Sequence, residues 1–349
     1  MSNHASNRQR SHSTPHADKI FHIATCNLLN FALPNRIYYD NMQAYRPEQY
    51  DAKLQGLANL FGQAHADIFA VQEVWDEQAL QDLTDKIGLS DAKVLVPMAS
   101  NDVNSDLTEG RGASKTPAQG IISRFPIIDW QLLTAFDERA YIEVPDAGLY
   151  TAFNRPPLIA TLDIFGESVT VISAHLKSKR PHYLRDDDGR LLEDYDDPML
   201  RVRAKLRSLC MRAAEAAALR IFIINKLKNT RHPLMLLGDM NDVTNSVTTQ
   251  LLAETSEVIY DKSMRDVALF DAARVQTHYG WMRDVAYTHL YQGMPEVIDQ
   301  LFVSEEFVSD SKFAKGQVMR VDYFNDHLKA EYFERATDHG IVRAKIELF

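Results

Sequence analysis

Short apolar runs that end on, or enclose, one polar or ionisable side chain recur along the whole chain, and this pattern limits the folds open to it. Ile-Ala-Thr-Cys leads to Asn27, Ile-Phe-Ala-Val-Gln to Glu73, and Val-Thr-Val-Ile-Ser-Ala to His175. Leu-Met-Leu-Leu-Gly leads to Asp239, with Asn241 two residues on; Asp299 interrupts Val-Ile-Asp-Gln-Leu-Phe-Val; Asp338 and His339 precede Gly-Ile-Val-Arg-Ala-Lys-Ile. Runs of this length and apolarity suit strands buried on both faces. A charge inside or just beyond such a strand is costly unless it is paired or bound to metal. One such residue alone is more often a satisfied structural group. Six sites in one chain, all oxygen donors or imidazoles, have a simpler common cause, a single polar cleft at the strand ends.

Helical patterns lie between the runs. From Ile20 a period of two runs through Phe21, Ile23 and Thr25 to Asn27, and Leu54, Leu57, Ala58 and Phe61 then recur at helical spacing behind Pro47 and Glu48. The apolar run Asp67–Val74 reads as a buried strand and Asp76–Ile87 as a helix. Ser100–Gln119 is polar and Gly-rich, a long surface loop of the kind that carries function. Gly120–Pro126 predicts a strand stopped by proline, and Leu158–Phe165 with Val169–His175 predicts a hairpin. Residues 186–197 hold seven acids and one Arg, whereas 201–212 hold five basic residues and no acid. The acidic stretch lacks the sixth-position Gly and terminal Glu of a calcium loop and reads as a solvated excursion. The basic stretch opens a helix running to about Lys228, with its charges on a solvated face. Leu234–Leu237, Val297–Val303 and Ile341–Leu348 complete the predicted strands. Strands and helices interleave throughout 19–349, with no repeat and no linker, which favours one large α/β domain. Residues 1–18 are rich in Ser, Asn, His and Arg and read as a disordered leader.

Composition excludes several classes. The formal net charge of −10 argues against a polycation that coats nucleic acid, so a phosphate-rich ligand needs a local positive patch or metal ions. Two cysteines, Cys26 and Cys210, support neither a disulfide framework nor a four-thiolate zinc site, and both read as small buried hydrophobes. The first residues show no apolar core of a secretion signal, and no apolar run approaches the roughly 18 residues of a membrane span. A cytoplasmic location without a membrane span is the resulting expectation.

The donor types select the metal class. Carboxylates and an amide without thiolates suit hard Mg²⁺, or Mn²⁺ or Ca²⁺, rather than zinc. Mg²⁺ keeps one or two carboxylates, waters and substrate phosphate oxygens, which points to phosphoester hydrolysis by an activated water. The GxxxxGK[ST], GxSxG and HExxH patterns are absent from the sequence.

Taken in order, Ile-Ala-Thr-Cys-Asn27-Leu, Ala-Val-Gln-Glu73-Val, Gly120-Ile-Ile-Ser-Arg, Ser173-Ala-His175-Leu-Lys, Leu-Leu-Gly-Asp239-Met-Asn241-Asp, Ile-Asp299-Gln-Leu-Phe-Val and Thr-Asp338-His339-Gly resemble the endonuclease/exonuclease/phosphatase family, the pancreatic deoxyribonuclease-like metal-dependent phosphodiesterases. The resemblance spans about residues 19–349. It implies a four-layer α/β sandwich, two packed mixed sheets flanked by helices, with the site at one edge. It implies that Glu73 is the main metal ligand, assisted by Asn27 and Asp338. It makes His339 a catalytic imidazole paired with Asp299, and Asp239 the carboxylate that activates or positions water. Asn241 becomes a phosphate or leaving-group donor, and His175 an imidazole that contacts the scissile phosphate and serves as general acid. Asn-Arg155-Pro-Pro-Leu and His175-Leu-Lys177-Ser-Lys resemble the branch containing bacterial extracellular nucleases, from which the missing secretion signal departs. Arg155 and Lys177 are the expected phosphate contacts, with Arg111 and Lys115 as weaker candidates.

The leading expectation is a metal-dependent nuclease acting on DNA or RNA. The alternatives are a phosphodiesterase or phosphatase on a small molecule or lipid headgroup, and a non-catalytic binding module on the same fold. The inositol-phosphatase variants of the Asp239 and Asp299 motifs and the apurinic-endonuclease variant of the terminal Asp338-His339 motif are absent, and every motif position a catalyst needs is filled. The loop at 100–119 and the insertion at 180–200 are expected to set substrate choice.

Overall fold

The computed structural model describes residues 19–38, 43–98, 116–186, 188–253, 262–278, 285–329 and 336–349. The leader 1–18 and most of the loop 100–119, with Arg111 and Lys115, lie outside the described residues.

The strands are β1 (Lys19–Phe31), β2 (Ile68–Val74), β3 (Lys93–Leu95), β4 (Ala118–Ser123), β5 (Ile127–Leu132), β6 (Ile142–Val144), β7 (Gly148–Tyr150), β8 (Leu158–Ile164), β9 (Glu167–His175), β10 (Leu234–Asp239), β11 (Phe270–Asp271), β12 (His289–Tyr291), β13 (Met294–Glu296), β14 (Asp299–Val303), β15 (Gly316–Phe324) and β16 (Ile341–Leu348). The helices are α1 (Pro47–Ala64), α2 (Glu77–Lys86), α3 (Pro198–Leu227), α4 (Val247–Ala253) and α5 (Ala272–Val275). Two six-stranded sheets form, in the orders β15-β16-β1-β2-β4-β3 and β11-β14-β10-β9-β8-β5. Each has one parallel pair at its centre, β1–β2 and β9–β10, joined by the crossover helices α1 and α3.

Period-two burial on both faces explains the layering. Phe21, Ile23, Ile68 and Ala70 face Leu158, Ala160, Val171, Met235 and Leu237 of the other sheet, forming the central core. Their strand neighbours Ala24, Cys26, Phe69 and Val71 face outward onto Leu57, Phe61 and Leu80 of α1 and α2. Ile172, Leu234 and Leu236 likewise meet Leu219, Ile223 and Leu252 of α3 and α4. The result is the four-layer helix–sheet–sheet–helix sandwich. Each fully buried large apolar side chain contributes roughly 1.5–3 kcal/mol of transfer free energy.

Several boundaries differ from the sequence reading. β1 does not end at Asn27. Leu29 and Asn30 take left-handed φ of 51° and 53°, the register with β2 shifts, and the strand resumes to Phe31. α3 starts at Pro198, three residues before the basic stretch, because the Asp197 side chain accepts from Met199 N at 2.7 Å and caps it. Asp299 begins its strand rather than interrupting one. The edge strand β15, whose register slips between Val318 and Arg320, carries Arg320 and Asp322 among its apolar residues and was not expected. Of the cysteines, Cys26 is buried and Cys210 only half-buried.

One glycine is required by the packing. Gly238 has φ +142°, and a Cβ there would lie 1.9 Å from the Ala174 carbonyl oxygen on the parallel neighbour β9. Only glycine allows β10 to approach β9 closely at the residue before Asp239.

Candidate active site

The C-terminal ends of the two parallel pairs meet at one edge of the sandwich. β1 and β2 deliver Asn27 and Glu73, and β9 and β10 deliver His175 and Asp239 as register partners. The antiparallel neighbour β14 begins there, so Asp299 pairs with Asp239 across the ladder. The turn before β16 adds Asp338 and His339. Topology thus converges six distant segments, as the strand-end pattern requires.

The bulge in β1 and a strained residue in β2 aim the first carboxylate. Glu73 adopts φ +61°, a left-handed conformation that costs a non-glycine residue about 1–2 kcal/mol. Its Oε2 accepts from Asn30 N at 2.9 Å, a donor turned inward by the bulge. Asn27 Nδ2 donates to Glu73 Oε1 at 3.2 Å and to Asp239 Oδ2 at 3.1 Å, tying the two sheets together, while its Oδ1 accepts from Leu29 N. In this arrangement Asn27 separates two carboxylates as a donor.

Asp239 Oδ2 lies between two imidazoles, 3.3 Å from His175 Nε2 and 3.9 Å from His339 Nε2. Its Oδ1 accepts from Asn241 N at 2.8 Å. Burial, with help from the Asp299 charge, pushes the Asp239 carboxyl up to about 6 against the opposing pull of His339. His339 Nδ1 is hydrogen-bonded to Asp299 Oδ2 at 2.8 Å. Burial alone would discharge this imidazole, but Asp299, Asp239 and Asp338 outweigh it and raise His339 to about 10. His175 goes the other way. Burial, then the nearby Arg155 and His339 charges, hold it well below the ordinary histidine value, so it is neutral. The two histidines of the site therefore differ in charge, His175 neutral and His339 cationic, as their neighbours set them.

The donor set fits a hard divalent ion. Asp239, Asp299 and His339 bring one ligand-type atom each within 4.8 Å of one another, the two carboxylates as donors and the imidazole only when it has given up a proton. Asp299 Oδ1 and Asp338 Oδ1 are buried without a hydrogen-bond partner among the described residues. Asp338 Oδ1 lies 3.8 Å from His339 Nε2, and Glu73 Oε1 lies 3.9 Å from His175 Nε2. Four carboxylates against one imidazolium leave an excess of negative charge that a cation offsets.

A cationic cluster adjoins this acidic centre. Arg155 Nη2 donates to the Leu176 carbonyl at 2.6 Å and Asn241 Nδ2 to the same oxygen at 2.9 Å, which puts both beside His175. Asn241 takes φ +52° to do so. Burial and the neighbouring Arg155, Arg212 and Arg180 charges depress the Lys177 amine, opposed by Glu215.

Sequence reasoning missed the groups that hold these residues. Buried Glu215 accepts from the Lys177 amide at 2.6 Å, the Tyr150 hydroxyl at 2.6 Å and the Asn154 amide at 3.1 Å. It is the one acid in the 30-residue helix α3, on an Ala-rich buried face, and that was the available signal. Thr288 Oγ1 accepts from Asp299 N at 3.0 Å, and Thr337 Oγ1 donates to the Asn27 carbonyl at 2.6 Å. Lys53 on α1, fully buried, donates to the Ala336 carbonyl at 2.7 Å behind Asp338. These contacts left no distinctive trace in the sequence.

The sequence profile of the endonuclease/exonuclease/phosphatase family matches residues 24–339, nearly the whole chain. The chain belongs to this family. Its members are metal-dependent phosphoester hydrolases. A search of curated proteins gives no match. Among solved structures, an endonuclease/exonuclease/phosphatase protein from Bacteroides vulgatus is 16% identical, with a TM-score of 0.54, 95% of this chain and 99% of that chain covered. A mannosyl-6-phosphatase from Bacteroides thetaiotaomicron is 13% identical, with a TM-score of 0.53 and coverages of 93% and 99%. The human nocturnin catalytic domain, solved with a bound sulfate anion, is 14% identical, with a TM-score of 0.53 and coverages of 95% and 96%. At these identities the likeness establishes the fold of the family. No helix among the described residues is long and apolar enough to cross a membrane.

Proposed function

We propose that the chain is a nuclease that hydrolyses phosphodiester bonds in DNA, and in RNA as a second substrate, using Mg²⁺ or, in its place, Mn²⁺ or Ca²⁺. The observation that carries this reading is the adjacency of two opposite charge fields, the Glu73–Asp239–Asp299–Asp338 carboxylates and the Arg155–Lys177 cluster, joined through Leu176 and His175. Such a pair suits a metal-bound phosphate diester.

Glu73 is the principal metal ligand in this reading, and Asn27 and Asp338 are the other residues that would hold the ion, which when bound would supply countercharge to the phosphate. Arg155, Lys177 and Asn241 hold the phosphate oxygens. Asp239, with its carboxyl near 6, is ionised yet basic enough at neutral pH to take a proton from the attacking water. Water adds to phosphorus, the P–O bond to the leaving oxygen breaks, and that oxygen takes up a proton. The imidazolium of His339 is the group that holds a proton at neutral pH, so we assign it the stabilisation of the developing charge and the supply of that proton. Neutral His175 is assigned phosphate hydrogen bonding instead of acid catalysis. Asp299 keeps His339 oriented and charged.

The test is a substrate panel: plasmid DNA, RNA, bis-p-nitrophenyl phosphate, sphingomyelin and inositol phosphates, each with Mg²⁺, Mn²⁺ or EDTA, beside the Asp239→Ala variant. Nucleic-acid cleavage that EDTA and Asp239→Ala both abolish supports the proposal. Turnover confined to the lipid or inositol substrates transfers the chemistry to another phosphoester. No hydrolysis of any substrate by folded protein supports a binding module.

A further inference from the structure

Lys53 carries an ammonium into the core. It follows Tyr50 on α1 and precedes Leu57 and Leu60 at spacings of three, four and three, so the four share the buried face of the helix. Its residue is 2% exposed. Among the described residues it makes one hydrogen bond, from Nζ to the Ala336 carbonyl at 2.7 Å, and the Tyr45 ring lies 6.0 Å from the same atom. A buried charge held by one neutral acceptor is costly, and a lysine is kept there only where a negative field offsets the lost hydration.

The field is that of the active site. The segment carrying Asp338 and His339 hangs from three elements: the Ala336 carbonyl from Lys53, the Thr337 hydroxyl from the Asn27 carbonyl at 2.6 Å, and the Gly340 amide from the Thr288 carbonyl at 2.7 Å. Asn27 in turn donates to Glu73 Oε1 at 3.2 Å. Lys53 thus adjoins both Glu73 and Asp338 while bonding to neither. Burial pushes its amine down to about 8 against the pull of Glu73 and then Asp338, which leaves it charged at neutral pH. Asp338 has use for that charge, since its Oδ1 is buried without a hydrogen-bond partner among the described residues.

We infer that Lys53 is a positioning residue, a fixed counter-charge that holds the Glu73 and Asp338 carboxylates together independently of any ion. It acts through the two acids and not on the substrate. The purpose of this arrangement rests on the proposed role of Glu73 and Asp338 as metal ligands: acids already restrained against their mutual repulsion need no gathering when an ion binds. Four carboxylates still outnumber the Lys53 and His339 cations, so negative charge remains for the ion.

The test is a double-mutant cycle on the full chain, read by urea denaturation in EDTA. Lys53→Met removes the charge and keeps the stem. Its loss in folding constant should be at least about tenfold smaller in the Glu73→Gln and Asp338→Asn backgrounds than in wild type, because the acid it offsets is gone. Thr337→Val frees the same segment without altering charge, so its loss should be equal in all three backgrounds. If Lys53→Met fails to fold in the wild-type background, Lys53→Gln replaces it, and folding of Lys53→Met only in the neutralised backgrounds is the same coupling. Coupling no larger for Lys53 than for Thr337 overturns the inference, since Lys53 then serves the Ala336 carbonyl alone. Calorimetric titration of Mg²⁺ into wild type keeps the two claims apart. Coupling without Mg²⁺ binding upholds the counter-charge and defeats the metal reading, and Mg²⁺ binding without coupling does the reverse.

Discussion

Asp299 Oδ2 and His339 Nδ1 are 2.8 Å apart, both side chains are buried, and the second oxygen of Asp299 has no hydrogen-bond partner among the described residues. The pair fixes the charge of the imidazole at the centre of the site. Removing the Asp299 charge while burial persists should drop the His339 value, so Asp299→Asn should move the alkaline limb of the kcat/KM profile to lower pH. Breaking a buried pair from one side should also cost about 3–5 kcal/mol, read by urea denaturation. The stability linked to His339 is fully present below its unfolded value of about 6.5 and is lost as pH rises through about 10. A flat stability profile between those values would contradict the assignment.

Asp239 sets the acid side. Its carboxyl sits near 6, so kcat/KM should rise as pH increases through that value and Asp239 becomes ionised. Asp239→Asn keeps the shape and removes the base, and activity should fall by about 10²–10⁴-fold. An unchanged acid limb in that variant would assign the limb to another group.

Glu215 tests the support of the phosphate pocket. Glu215→Ala leaves the Lys177 and Asn154 amides and the Tyr150 hydroxyl without their shared acceptor. Each stranded buried donor costs about 1–3 kcal/mol. The residual folded enzyme should show a raised KM, because Arg155 and Lys177 lose their fixed positions. Equal KM values for variant and wild type would argue that Glu215 acts on stability alone.

Much of this site was legible because its logic is written at strand ends. Asn27, Glu73, His175, Asp239, Asp299 and His339 each stand where an apolar run meets a polar residue, and all six meet in space. The central strands and crossover helices were readable for the same reason, since burial on both faces leaves long apolar runs. What escaped was set by tertiary context. Glu73's left-handed backbone and the Leu29–Asn30 bulge arise from pairing between strands, not from local propensity. β15 lies at a sheet edge, and its register slip between Val318 and Arg320 puts two apolar residues side by side and breaks its alternation. Glu215 and Lys53 act through a single contact or a few across long sequence separations. The charge states of His175 and His339 depend on neighbours that no linear motif specifies.

Gly238 links the fold to the chemistry. A Cβ at this position collides with the Ala174 backbone one residue before Asp239. Gly238→Ala should therefore separate β10 from β9, lower the melting temperature and abolish activity together. A variant that is inactive yet as stable as wild type would show that the strand absorbs the methyl group and that only Asp239 is displaced.

The central claim, that distant acidic, amide and imidazole side chains hold a divalent ion against a phosphate diester, is tested most directly by calorimetric titration of Mg²⁺ and Mn²⁺ into wild type and Glu73→Gln, with hydrolysis followed on the same samples. Wild type should bind the ion and cleave, and Glu73→Gln should lose both, with turnover down about 100-fold or more, because the ion supplies several kcal/mol of transition-state stabilisation. Glu73→Gln that binds the ion and cleaves like wild type would contradict the account.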